Sequence, residues 1–224
     1  ANETFGNPAS VLVGDFLHTR SFQMMVEAGS MRIMEILSEA TNVIAEGEVL
    51  QLMNMHDASL DEAGYLRVIR SKTAKLFEAS ARLGAVLAES AADIEEACAT
   101  YGQALGTAFQ IIDDVLDYDG DASEMGKNLG DDLREGKSTL PLIAAMERGT
   151  PSQAEVVRHA IENGSTDQLA DIVQIVRETG ALEVTRAAAV NEARRAMAAA
   201  ERLPSNPYSK ALLELAAQLL TRRN

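Results

Sequence analysis

The sequence predicts an all-α protein, folded as a helical bundle. Aromatic residues make up only 4% of the chain, alanine is abundant and β-branched runs are scarce. Ala, Leu, Met, Glu and Gln lose little conformational freedom on entering a helix. Glycine and proline gather at a few boundaries, and the segments between them carry broad apolar stripes with no strand alternation.

The elements follow in order. Asn7-Pro8 opens the first helix, with Asn7 as N-cap and Pro8 at the first helical position. Gly29-Ser30 closes it and caps a second helix from about Met31 to Met55. Ser59-Leu60-Asp61-Glu62 fits a capping box, and the helix it starts runs to about Glu89 with a break near Ser71. A long helix follows from about Asp93 to Tyr118, and then a charged loop punctuated by Gly120, Gly126, Gly130 and Gly136. Shorter helices are expected near Thr139 to Arg148, Ser152 to Asn163, Thr166 to Thr179 and Ala181 to Arg202. Leu203-Pro204-Ser205-Asn206-Pro207 is a linker to a last helix ending near Arg222. No repeat or shift in composition divides the chain, so one helical domain over residues 1–224 is expected.

Composition excludes several function classes. With 34 acidic and 20 basic residues the net charge is -14, which argues against a general nucleic-acid binder. The single cysteine, Cys98, can form neither an internal disulfide nor a cysteine-rich zinc site, so a reducing cytoplasm is expected. His18, His56 and His159 lack metal-site spacing and read as structural or exposed. No apolar run approaches the roughly 20 residues that span a bilayer. Ala1 to Gly6 has neither the basic start nor the apolar stretch of a secretory signal. A start at Ala1 predicts a processed chain or part of a longer one. Met24, Met25, Met31, Met34, Met53 and Met55 read first as core filling, with the wall of a pocket for a long apolar ligand as the sharper alternative. Asp15 and Glu48, on apolar helical faces, read as buried carboxylates satisfied by hydrogen bonds.

The chemistry concentrates in Phe109-Gln110-Ile111-Ile112-Asp113-Asp114-Val115-Leu116-Asp117. Asp113 and Asp117 are four apart, one helical turn on one face, and Gln110 lies on the same stripe. Two carboxylates and an amide oxygen make a hard-oxygen surface suited to Mg²⁺, which usually shares its ligands with substrate phosphates. A chance Asp-Asp-x-x-Asp is expected about 0.04 times in a chain with 13 Asp, so the match is suggestive; the competing reading is a solvated acidic helix end. The lysines favour the metal reading. Only five exist, of which Lys72 and Lys75 sit in Ser71-Lys72-Thr73-Ala74-Lys75, and Lys127 and Lys137 sit in the loop after the aspartates. Such a loop can close over a diphosphate. Lys75 and Lys210 read as ordinary solvated charge.

These segments carry a resemblance. The Phe109–Asp117 segment is similar to the second aspartate-rich motif of the all-trans polyprenyl diphosphate synthases, most closely the octaprenyl type. Gly126-Lys127, Gly130-Asp131-Asp132 and Glu135-Gly136-Lys137-x-Thr139-x-Pro141 resemble the loop that follows it, and Lys72-Thr73-Ala74 the family's Lys-Thr element. Phe5-Gly6-Asn7, Ser10 to Phe16 and Glu46-Gly47-Glu48-x-x-Gln51-Leu52 resemble its central helices. The similarity runs in order along the whole chain.

The resemblance implies an isoprenoid-synthase-type helical bundle that lacks its N-terminal helices. The first aspartate-rich motif, most of the isopentenyl diphosphate site and the residues that set chain length would lie before Ala1, and a fragment of this extent would turn over poorly alone. It implies a Mg²⁺-dependent prenyltransferase, typically a homodimer, that condenses an allylic diphosphate with isopentenyl diphosphate to a long all-trans product, octaprenyl for quinone side chains. On that carry-over Asp113 is the main Mg²⁺ ligand, and Asp114 and Asp117 bind metal or its waters. Lys72 and Lys127 hold the allylic diphosphate, Thr73 and Gln110 stabilise the reacting end, Lys137 helps to close the loop, and Phe109 lines the cavity. The Met-rich helices then gain weight as the wall of a product tunnel. Two other readings compete. A class I terpene cyclase would close an aromatic-rich pocket, which a chain with no Trp and five Phe lacks. A non-catalytic helical subunit of a heteromeric synthase would have lost its first aspartate motif.

Overall fold

The computed structural model describes residues 2–119 and 130–219. Every regular element among them is helical. The chain divides into two compact units, residues 1–39 and 40–224.

The first unit holds α1 (Asn2–Phe5), α2 (Asn7–Glu27) and the beginning of α3 (Met31–Met53). Gly6, not Asn7, occupies the N-cap of α2. Its φ of 77° is the left-handed region that glycine enters freely, so Asn7 is already helical and Pro8 sits in the first turn, where its missing N–H costs nothing. Gly29, at φ 67°, ends the helix at the expected place. Met25, Ile33 and Ile36 are buried, while Leu12, Phe16, Leu17, Met24 and Met31 are exposed. The methionines therefore do not act together as core filling: of the six, Met25 is buried, Met53 is exposed and Met55 lines a cavity.

The second unit continues α3 and adds α4 (Glu62–Ile69), a π-helical turn (Arg70–Ala74), α5 (Lys75–Leu87) and α6 (Ala92–Asp119). Then come α7 (Asp131–Arg134), α8 (Leu140–Arg148), α9 (Pro151–Asn163), α10 (Leu169–Glu178), α11 (Ala181–Ala200) and α12 (Pro207–Leu219). The expected break near Ser71 is the π turn. The expected capping box at Ser59 is not formed: Asp61 is the cap, accepting from the Gly64 N–H at 2.8 Å, and the Ser59 hydroxyl bonds Asp57 instead.

Helix α6 is the axis of this unit. Ala97, Ala104, Ala108, Ile111 and Val115 are fully buried. Its apolar residues join three successive core clusters. Tyr101 to Ala108 pack with α11 and α12, Ile111 and Ile112 with Tyr65, Ile69 and Leu140, and Val115 and Tyr118 with α8, α9 and α10. Small residues set how near α5 comes. A Cβ on Gly102 would run into the Phe77 carbonyl, and one on Gly106 would lie 2.8 Å from Ala74 Cα.

Candidate active site

The aspartate face of α6 opens onto a cavity of about 820 Å³. Gln110, Asp113, Asp114 and Asp117 line it from α6, Lys72 and Thr73 from the π turn, and Asp131, Asp132, Glu135 and Lys137 from α7 and the residues after it.

The π turn is placed by close backbone contact. A Cβ on Gly47 of α3 would lie 2.7 Å from Lys72 N and 2.8 Å from Ser71 Cβ. Gly106 of α6 makes the matching approach to Ala74. Two glycines thus let the two helices grip the turn. A third helix holds it through Arg70, which bonds Glu192 of α11 at 3.0 Å; Arg195 bonds the other Glu192 oxygen at 2.6 Å. So placed, Lys72 Nζ reaches Gln51 Oε1 at 3.2 Å and Glu48 at 3.0 Å.

A chain of hydrogen bonds then crosses to α6. The Thr73 hydroxyl donates to Gln110 Oε1 at 3.1 Å, and Gln110 Nε2 donates to Asp114 Oδ1 at 2.8 Å. The Tyr65 hydroxyl donates to Asp114 Oδ2 at 2.7 Å. Both Asp114 oxygens are therefore engaged, and the residue is 3% exposed. Burial pushes its carboxyl up to about 7, the Asp132 charge adds to this, and the bonds from Tyr65 and Gln110 oppose it. Asp117 is pushed to about 6, chiefly by burial and then by Asp132, against backbone N–H bonds from Asp131 and Asp132. The N–H of Asp132 meets Asp117 Oδ2 at 3.3 Å.

Lys137 stands within this acidic group. Its ammonium bonds Asp132 at 2.8 Å and Glu135 at 2.7 Å. Burial alone would lower its pKa, but the two carboxylates hold it above the usual lysine range. Among the described residues no set of three His, Cys, Asp or Glu side chains is arranged to hold a metal unaided. Hard carboxylate oxygens beside lysine donors suit a Mg²⁺ ion that takes its remaining ligands from water and a substrate diphosphate.

The polyprenyl synthetase family's sequence model matches residues 1–179. The chain belongs to the polyprenyl synthetase family. It is 54% identical over 217 residues to the octaprenyl diphosphate synthase of Escherichia coli K12, covering 96% of this chain and 67% of that one. The polyprenyl synthase of Caulobacter crescentus CB15, solved with calcium and isoprenyl diphosphate, superposes with a TM-score of 0.93 at 46% identity. A decaprenyl diphosphate synthase from Rhodobacter capsulatus does so at 0.92 and 43%. Both alignments cover 100% of this chain and 69% of the other.

Seven of the expected site residues line one cavity: Lys72, Thr73, Gln110, Asp113, Asp114, Asp117 and Lys137. Phe109 does not line it. Its position on α6 turns its ring towards Phe77, centroids 5.8 Å apart, at the border of the Tyr101–Ala108 core. Lys127 lies outside the described residues. Asp15 and Glu48 are exposed and not buried, and Glu48 pairs with Lys72. Lys75 is not simply solvated, since it bonds Glu78 at 3.1 Å. Tyr65, Gln51 and the ties from Asp132 to Asp117 and Lys137 went unanticipated. Tyr65 meets Asp114 across 49 positions of sequence, and no local signal carries that.

Proposed function

We propose that this polyprenyl synthetase is a long-chain all-trans prenyltransferase, condensing a farnesyl or longer allylic diphosphate with isopentenyl diphosphate, with octaprenyl diphosphate for quinone side chains as the product. One observation carries the reading: the Asp113–Asp117 face and the cations Lys72 and Lys137 line the same cavity. That combination suits a diphosphate. The names of the relatives supply the product class and its length, and the two substrates follow from the resemblance of the motifs. Mg²⁺ as the metal, a homodimer and a cytoplasmic setting complete the proposal. No described helix is long and apolar enough to cross a membrane.

In this reading Asp113 and Asp117 hold the metal. When bound, it supplies positive charge to the departing diphosphate as the allylic C–O bond ionises. Lys72 and Lys137 bind the same diphosphate and share that charge. Thr73, held by Gln110, offers its hydroxyl oxygen to the reacting end, and Asp114 and Tyr65 fix Gln110 behind it. Leu60, Val68, Ile69 and Leu116 supply the apolar part of the lining and limit water near the allylic cation.

Removal of single charges tests this. Asp113→Asn and Lys72→Ala are each expected to lower kcat/KM for farnesyl diphosphate by about 10²-fold or more, the scale of a lost electrostatic group. Both variants keeping wild-type rates would overturn the reading. The non-catalytic subunit is the alternative outcome, seen as a chain that makes no product alone but raises the rate of an added catalytic partner.

A further inference from the structure

We infer that His56 is a positioning residue that holds Lys137 in the cavity. The inference rests on the diphosphate reading of Lys137 given above. His56 lies just beyond α3 and has a φ of 64°, one of two non-glycine residues with positive φ among those described. Residues other than glycine seldom occupy that region, although histidine, like asparagine and aspartate, enters it more readily than most, so contacts with the surroundings help to hold it there.

Three contacts do so. The His56 N–H donates to the Gly136 carbonyl at 2.7 Å. Its Nδ1 lies 3.1 Å from the Ile161 carbonyl in the last turn of α9. That carbonyl can only accept, so Nδ1 carries the proton. The ring occupies the space a Cβ on Gly136 would need, and it crowds the same space on Gly164, the C-cap of α9. Gly136 (φ 73°) and Gly164 (φ 57°) thus form a slot closed by the imidazole.

The next residue repeats the grip. The Ser138 hydroxyl donates to the Asp57 carbonyl at 2.6 Å. Consecutive residues His56 and Asp57 therefore hold Gly136 and Ser138, the two neighbours of Lys137. With its backbone pinned on both sides, Lys137 projects into the cavity, where Asp132 and Glu135 hold its ammonium. His56 does not itself line the cavity, so its effect on a ligand passes through Lys137.

A double-mutant cycle tests this, with binding of inorganic diphosphate in excess Mg²⁺ measured by calorimetry. Valine, β-branched, tolerates positive φ poorly, whereas asparagine tolerates it well. His56→Val should weaken binding about tenfold, and Lys137→Ala about as much. The double variant should bind no more weakly than Lys137→Ala alone. His56→Asn, which keeps the left-handed backbone but loses the imidazole contacts, should weaken binding by less than His56→Val. Ser138→Ala, which leaves the left-handed residue intact, should weaken binding a few-fold and lose that effect in the Lys137→Ala background. It serves in place of His56→Val should that variant not fold. Effects that add in full to that of Lys137→Ala would overturn the assignment, as would an unchanged affinity in both His56→Val and Ser138→Ala. A wild-type protein that binds no diphosphate overturns the functional reading itself, and this inference with it.

Discussion

Gly47→Ala should damage catalysis far more than stability. Gly47 is buried within α3, and the added methyl would lie 2.7 Å from Lys72 N, 2.8 Å from Ser71 Cβ and 3.0 Å from Ser71 C. Ordinary carbon contacts begin near 3.5 Å, so the methyl demands a displacement of roughly 1 Å. Two of the obstructing atoms are backbone, so no side chain can swing aside. Such overpacking costs about 1–3 kcal/mol, but alanine gains about 0.5–1 kcal/mol over glycine within a helix. The net loss of stability should therefore be only about 0–2.5 kcal/mol. Relief comes through movement of the π turn, which carries Lys72 and Thr73, and a misplacement of about 1 Å in binding groups can cost about 10²-fold in rate. Urea unfolding paired with steady-state kcat/KM for farnesyl diphosphate separates the two effects. The expected result is a rate loss of 10-fold to 100-fold with a modest shift in midpoint. Wild-type kinetics in a folded variant would refute the claim that this approach positions the turn.

Gly102→Ala, whose methyl would strike the Phe77 carbonyl, should lose about 1–3 kcal/mol in urea unfolding, while Gly84→Ala, with open space around it, should gain up to about 1 kcal/mol. Tyr65→Phe removes the donor to Asp114 Oδ2 and should cost about 1–3 kcal/mol by the same measurement, as a buried acceptor loses its partner. In the metal-free protein burial holds the carboxyls of Asp114 and Asp117 at about 7 and about 6, above the ordinary aspartate value of 3.8. The folded state then binds more protons between about pH 4 and 7, so stability should fall as pH rises through that window. Thermal melts without metal should show a higher midpoint at pH 5.5 than at pH 7.5, and Asp114→Asn should reduce that difference.

Much of the site was legible because its parts are local. The Asp113–Asp117 stripe needs only helical spacing, and the Lys72-Thr73 pair sits at the break expected near Ser71. Ends of helices were harder to read, since neighbouring residues compete for one role. Gly6 displaced Asn7 as cap because its positive φ suits the sharp entry into α2, and Asp61 displaced Ser59, whose hydroxyl had a nearer partner in Asp57. Thr150 and Gln153 form a reciprocal capping box, which starts α9 at Pro151 and not at Ser152. The remaining features depend on long-range contact. Tyr65 on Asp114, Glu192 on Arg70 and His56 on Gly136 each join segments at least 49 residues apart, and nothing in the flanking residues marks them as partners.

The most direct test of the central claim is product analysis after incubating the protein, at its full natural length, with farnesyl diphosphate and labelled isopentenyl diphosphate, with Mg²⁺ and with EDTA. The account predicts a long all-trans prenyl diphosphate, centred on the octaprenyl product, that forms with Mg²⁺ and not with EDTA. Equal product under both conditions would contradict the role given to the Asp113–Asp117 face, and cyclised hydrocarbon in place of a linear diphosphate would contradict the proposed reaction.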